Sequence, residues 1–186
     1  MFVAVVPPAD VLEDLEAHVD PRRDASPLRW TSPESWHLTM AFMADVPDRS
    51  LDDLVERLGR AAAKRRPMTV ALAGAGAFPS VSRAKVLYAA VDGAPEDLEE
   101  LRRLSVGARA AATKAGAPAD GARFKAHLTL ARVNRPVEAT RWLRVLSAYR
   151  SRDFTVDEVV LVESHLGEGP RGRPRHVVAE TFAIGR

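Results

Sequence analysis

Trp36-His37-Leu38-Thr39-Met40-Ala41-Phe42-Met43 and, 90 residues later, Lys125-Ala126-His127-Leu128-Thr129-Leu130-Ala131-Arg132-Val133 decide how this chain is read. Both stretches alternate in the way a half-buried strand does. Side chains two apart on a strand share a face, so His37 points with Thr39 and His127 with Thr129. Leu38, Met40 and Phe42 then point the other way, into a core. Strict alternation also turns Arg132 away from His127, unless a bulge redirects it. A lone histidine in a strand is usually an ordinary surface or hydrogen-bonded residue, and threonine is a common strand former. The same His-Leu-Thr at two of five histidines asks for more than chance. A core has no need to repeat it. If two similar lobes pack face to face, one cleft holds two imidazoles and two hydroxyls. The hydroxyls can donate to phosphate oxygens, while one imidazole serves as base and the other as acid near neutral pH.

Outward from the motifs, the chain alternates strands and helices irregularly. Strands are expected at Phe2–Val6, 68–73, 85–91, 123–133, 154–163 and 176–184. One helix is expected over 10–19, with Val11, Leu12, Leu15 and Val19 on its face. A second follows Asp48 as N-cap, bearing Leu51, Leu54, Val55 and Leu58. A third has Pro95 in its first turn and stops near Gly116 and Pro118, and a fourth runs over 137–149. Gly74 to Arg83 reads as a loop. Its small residues are not a phosphate loop, because no Lys-Ser/Thr ending follows. The hairpin-like strand pairs favour an α+β fold with antiparallel sheets over a doubly wound parallel sheet.

Composition narrows the chemistry. With 186 residues, 46% hydrophobic and 28% charged, the chain suits one domain or two small packed lobes. There is no cysteine, so disulfides, thiolate nucleophiles and cysteine-based zinc sites are excluded. No His-Glu-x-x-His pattern suggests a metal site. No apolar run reaches the ~20 residues of a membrane span. Residues 1–10 lack a basic stretch before their apolar run and read as a strand, not a signal peptide, which makes a cytoplasmic location the expectation. The formal charge is +2, and arginine makes up 23 of the 27 basic residues. Genome bias accounts for most of that excess, although arginine forks also suit anions. Trp30 reads as core. His18, His165 and His176 have no motif context and receive no role. Arg171, Arg173 and Arg175 form a basic run that is usually solvated loop.

The two His-x-Thr-x motifs resemble those of the 2H phosphoesterases. The flanks FVAVVP (2–7), LRW (28–30), WHLTMAFMADVP (36–47), GAGAFPS (74–80), RAKVLYAAV (83–91), FKAHLTLARV (124–133) and LVESHLG (161–167) are similar to those of bacterial and archaeal RNA 2′,3′-cyclic phosphodiesterases, the LigT-like or 2′–5′ RNA ligase family. The resemblance covers nearly the whole chain, 1–186, as a single two-lobed, pseudo-symmetric domain with antiparallel sheets flanking a central cleft and helices outside. It implies His37 as proton donor to the leaving oxygen and His127 as the acceptor that activates water. Thr39 and Thr129 are implied as phosphate-binding hydroxyls, Arg132 as a phosphate contact and Phe42 as a nucleotide-pocket residue. The family's usual Arg-Pro or Lys-Pro before the second motif is Lys125-Ala126 here.

The expected activity is opening of a terminal 2′,3′-cyclic phosphodiester to a 2′-phosphomonoester, without cofactor or metal. The expected partner is an RNA with such an end, or a small cyclic nucleotide. No membrane is involved, and a monomer is expected. Two alternatives stand beside this reading. One is 2′–5′ joining of RNA ends by the reverse chemistry. The other is a non-catalytic RNA- or nucleotide-binding module.

Overall fold

The computed structural model describes residues 1–23, 28–121, 123–169, 172 and 174–186. Among them, nine strands form one antiparallel sheet. They are β1 (Phe2–Val5), β2 (Arg29–Trp30), β3 (Leu38–Phe42), β4 (Met68–Phe78), β5 (Ala84–Gly93), β6 (His127–Val137), β7 (Phe154–Val156), β8 (Glu158–His165) and β9 (Arg175–Ala183). The order across the sheet is β7-β4-β5-β6-β3-β1-β8-β9, with β2 on β6. Two halves result, β3-β1-β8-β9 and β7-β4-β5-β6. They do not stack face to face. They meet edge to edge through β3 and β6 at a single pair, Leu38 opposite Leu128.

Among the described residues, four α-helices pack on the sheet: α1 (Ala9–Val19), α2 (Leu51–Ala63), α3 (Pro95–Lys114) and α4 (Thr140–Leu146). Their apolar faces, such as Val11, Leu15 and Val19 of α1 or Leu54, Leu58 and Ala62 of α2, are buried. They join one large core with Leu38, Met40, Leu128 and Leu130, the apolar positions of the motifs. A smaller apolar cluster of Phe2, Ala4, Val160 and Val162 lies apart from that core, at positions that pair across β1 and β8. The α+β class with antiparallel pairing is therefore as expected. Among the described residues, no helix is long and apolar enough to cross a membrane.

Several boundaries differ from the sequence reading. The loop expected at 74–83 is strand in its first part, since β4 runs on to Phe78, and only 79–83, with a 3-10 turn over Val81–Arg83, lies outside the strands. Gly74 takes a positive φ at a register shift between Leu72 and Ala75, and pairing then resumes to Phe78 opposite Val86. Small residues that look like a loop are needed there because the Tyr88 ring lies over the strand. A Cβ on Gly76 would stand 2.2 Å from it. The fourth helix covers only 140–146, since Val137 still belongs to β6 and pairs with Ala84. The expected strand 154–163 breaks at Asp157, so β7 joins β4 while β8 joins β1. The second helix starts at Leu51, after a 3-10 turn over Asp48–Ser50, so Asp48 is not its N-cap.

Candidate active site

The register of the central pair determines where the motif side chains go. Leu38 opposite Leu128 puts Thr39 across from His127, and His37 across from Thr129, when pairing is followed one step each way. Directly opposed residues of an antiparallel pair share a face. All four polar side chains thus converge on the face away from the helices, and all four line one cavity of about 330 Å³. That is at the low end of the range for small-molecule pockets, roughly 300–1,000 Å³.

Both motif strands then bulge at the same point. In β3, Ala41 pairs with Val3 and Thr39 with Ala4, so Met40 is the extra residue. In β6, Ala131 pairs with Leu87 and Thr129 with Tyr88, so Leu130 is the extra one. A bulge leaves the extra residue outside the ladder and shifts the alternation by one. Each freed carbonyl finds a donor elsewhere. Ser105 Oγ of α3 donates to Met40 O at 2.6 Å, and the Thr31 amide donates to Leu130 O at 2.8 Å. Met40 and Ala41 both go into the core, as do Leu130 and Ala131.

The residues that follow, Phe42 and Arg132, swing back to the cleft and line the cavity. Alternation alone sends both to the wrong face. Phe42, expected in the core beside Leu38 and Met40, is 47% exposed. All six candidates, His37, Thr39, Phe42, His127, Thr129 and Arg132, are brought together.

Each histidine is held twice. His127 Nδ1 lies 2.7 Å from the Lys125 carbonyl oxygen. That oxygen can only accept, so Nδ1 carries the hydrogen, and the neutral ring presents its lone pair at Nε2. His37 makes the corresponding bond to the backbone of Ser35, also two residues upstream. Aromatic rings bracket both imidazoles. Phe2 stacks on His37 with centroids 4.5 Å apart, and His176 meets it edge-on at 5.6 Å. Phe78 and Tyr88 meet His127 edge-on at 5.0 and 5.3 Å.

The electrostatics are unequal. Burial drives the His37 pKa down to about 4, helped by the charges of His176, His127 and Arg132 and opposed by the Ser35 bond. Burial also lowers His127, with the Lys125 backbone bond opposing and the Arg132 and Lys125 charges adding to it. Both shifts favour the neutral imidazole at pH 7. The pair can exchange protons with a bound group, and the arginine and hydroxyls can hold an anion between them.

Sequence reasoning missed part of this surrounding. His176 received no role, yet it lines the cavity beside His37, and burial lowers its pKa. It lies on β9 opposite Ser164, and no motif marks it. Phe2, Phe78 and Tyr88 lie inside segments that carry the resemblance, but only the fold reveals them as brackets. Trp30 is buried as expected, meeting Trp142 edge-on at 5.7 Å, and it also forms part of the cavity wall. His18 lies beside Tyr149, and His165 beside Glu163 and Glu168, away from the cavity lining. Of the basic run, Arg171 and Arg173 lie outside the described residues. Arg175 bonds Glu168 at 2.8 Å.

Comparison with known proteins bears on the family and the fold. The family model described as LigT like Phosphoesterase matches residues 3–88 and 93–171. A relative from Aquifex aeolicus named RNA 2′,3′-cyclic phosphodiesterase is 28% identical over 84% of this chain and 82% of its own length. One of the same name from Geobacillus stearothermophilus is 30% identical over 91% of this chain and 54% of its own. The crystal structure of the protein TT0787 of Thermus thermophilus superposes with a TM-score of 0.78 at 27% identity, covering 99% of this chain and 97% of that one. With two matched motifs on adjacent strands and a family match along nearly its full length, the chain belongs to the LigT like phosphoesterase family.

Proposed function

We propose that this protein is a metal-independent hydrolase that opens 2′,3′-cyclic phosphodiesters at RNA ends, leaving a 2′-phosphomonoester. The observation that carries the reading is the convergence of two histidines, two threonines and Arg132 on one concave face. The relatives named RNA 2′,3′-cyclic phosphodiesterase support the substrate class.

The chemistry needs in-line attack on phosphorus. His127, with its lone pair at Nε2, takes a proton from water as the water oxygen bonds to phosphorus. The bond to the 3′ oxygen breaks, and His37 protonates that oxygen as it leaves. The Thr39 and Thr129 hydroxyls and the Arg132 fork hold the non-bridging oxygens, whose charge grows in the transition state. The negative charge of a bound phosphodiester raises the His37 pKa and favours the protonated acid.

Incubating the protein with an RNA ending in a cyclic phosphate and following the product by phosphorus NMR tests this. A 2′-phosphate is expected. A 3′-phosphate would reverse the acid and base assignments. Binding without turnover would make the cleft a recognition module.

A further inference from the structure

Arg29 is the cross-strand partner of Arg132. The two guanidinium-bearing side chains share a face, and both line the cleft. Like charges directly opposed across strands destabilise a sheet, so the pair needs a reason that folding does not supply. Arg29 bonds only weakly to a neutral group, Asn134 Oδ1 at 3.4 Å. Among the described residues, neither arginine lies within ion-pairing distance of a carboxylate. Their places in the sheet differ: Arg132 follows His127 and Thr129 on the motif strand β6, whereas Arg29 lies across from it on β2. Thr31, Ser32 and Ser35 continue the cavity wall from it with hydroxyl donors.

We infer that Arg29 is a second phosphate site, which holds the phosphate on the 5′ side of the terminal nucleotide while Arg132 holds the cyclic one. Cross-strand partners have Cα atoms only about 4.5–5.5 Å apart, so two successive phosphates of one strand can be gripped by neighbouring forks. The cleft then distinguishes the end of an RNA chain from a free cyclic mononucleotide. This rests on the hydrolytic reading above.

The test compares three substrates: a nucleoside 2′,3′-cyclic phosphate, the same compound carrying a 5′-phosphate, and a dinucleotide ending in the same cyclic phosphate. Wild type should favour both of the latter in kcat/KM, mainly through KM. Arg29→Gln should shrink that preference about tenfold, as expected for one charge-assisted phosphate contact. Arg29→Lys should restore part of it. The salt dependence of dinucleotide KM should also flatten by about one phosphate's worth. A preference unchanged in Arg29→Gln, absent in wild type, or shown by the dinucleotide but not the 5′-phosphorylated mononucleotide would overturn the inference. Such results would leave the hydrolytic reading standing. No turnover of any of the three by wild type would overturn both.

Discussion

His37 and His127 occupy matched positions, yet burial weighs on them unequally, and this difference is measurable. In the free protein the His37 pKa lies near 4 and that of His127 below its ordinary value. The kcat/KM profile reports the free enzyme, so its bell should centre on the acid side of pH 6.5. The kcat profile reports the complex, where the bound anion raises both groups, so it should lie at higher pH. Coincident profiles would show that the anion does not retune the pair. Stability follows the same sign. A histidine whose pKa is depressed by folding binds fewer protons folded than unfolded between pH 6.5 and about 4. Unfolding free energy should therefore rise with pH across that window, a trend that His37→Gln should weaken in denaturant titrations. Replacing either histidine by alanine should lower kcat by ~10²–10⁴-fold while leaving the circular dichroism spectrum unchanged. Near-normal turnover in a folded mutant would remove that residue from the mechanism.

At the scale of elements, the paired bulges are the device that builds the site. Without them, strands β3 and β6 would send Phe42 and Arg132 into the helix-side core. Ser105 holds the first bulge through the Met40 carbonyl, in a place that water does not reach. Ser105→Ala leaves that acceptor unpaired and should cost about 1–3 kcal/mol in unfolding free energy. It should also raise KM, because Phe42 is aimed by the bulge and not by its own packing. A stability loss with unaltered KM would mean the bulge holds its shape without Ser105. The Tyr88 ring over Gly76 is a further case of an element serving the site, since the same ring meets His127 edge-on.

On the scale of the molecule, two half-sheets meet at a single strand pair, and the cleft lies along that seam. Leu38 and Leu128 are both fully buried beneath it. Leu128→Ala should cost about 2–5 kcal/mol by the cavity it leaves. It should also reduce turnover more than an equal loss at Leu15 on α1, because the seam sets the spacing of the proposed acid and base. Equal turnover in the two variants would show that the halves keep their register without that contact. Among the described residues, no three histidine or carboxylate side chains converge to hold a metal ion. Turnover should therefore survive exhaustive chelation. Loss on chelation with recovery on adding a divalent metal would sink the two-histidine mechanism.

What the sequence determined by itself was the set of candidate groups for the chemistry and the class of fold. The repeated His-x-Thr names its own donors and acceptors, and a period of two needs no tertiary information to say that His and Thr share a face. Helices α1 to α3 were legible for a similar reason, since their apolar spacing is local. Only the tertiary structure decided the rest. The bulges at Met40 and Leu130 depend on what α3 and the Thr31 backbone just after β2 offer to freed carbonyls, and that reversed the side to which Phe42 and Arg132 turn. The continuation of β4 through Gly74–Phe78 depends on the ring of Tyr88, twelve residues beyond Gly76, and His176 reaches His37 from the far strand of its half-sheet. These features come from contacts between distant segments, and local spacing carries no record of such contacts.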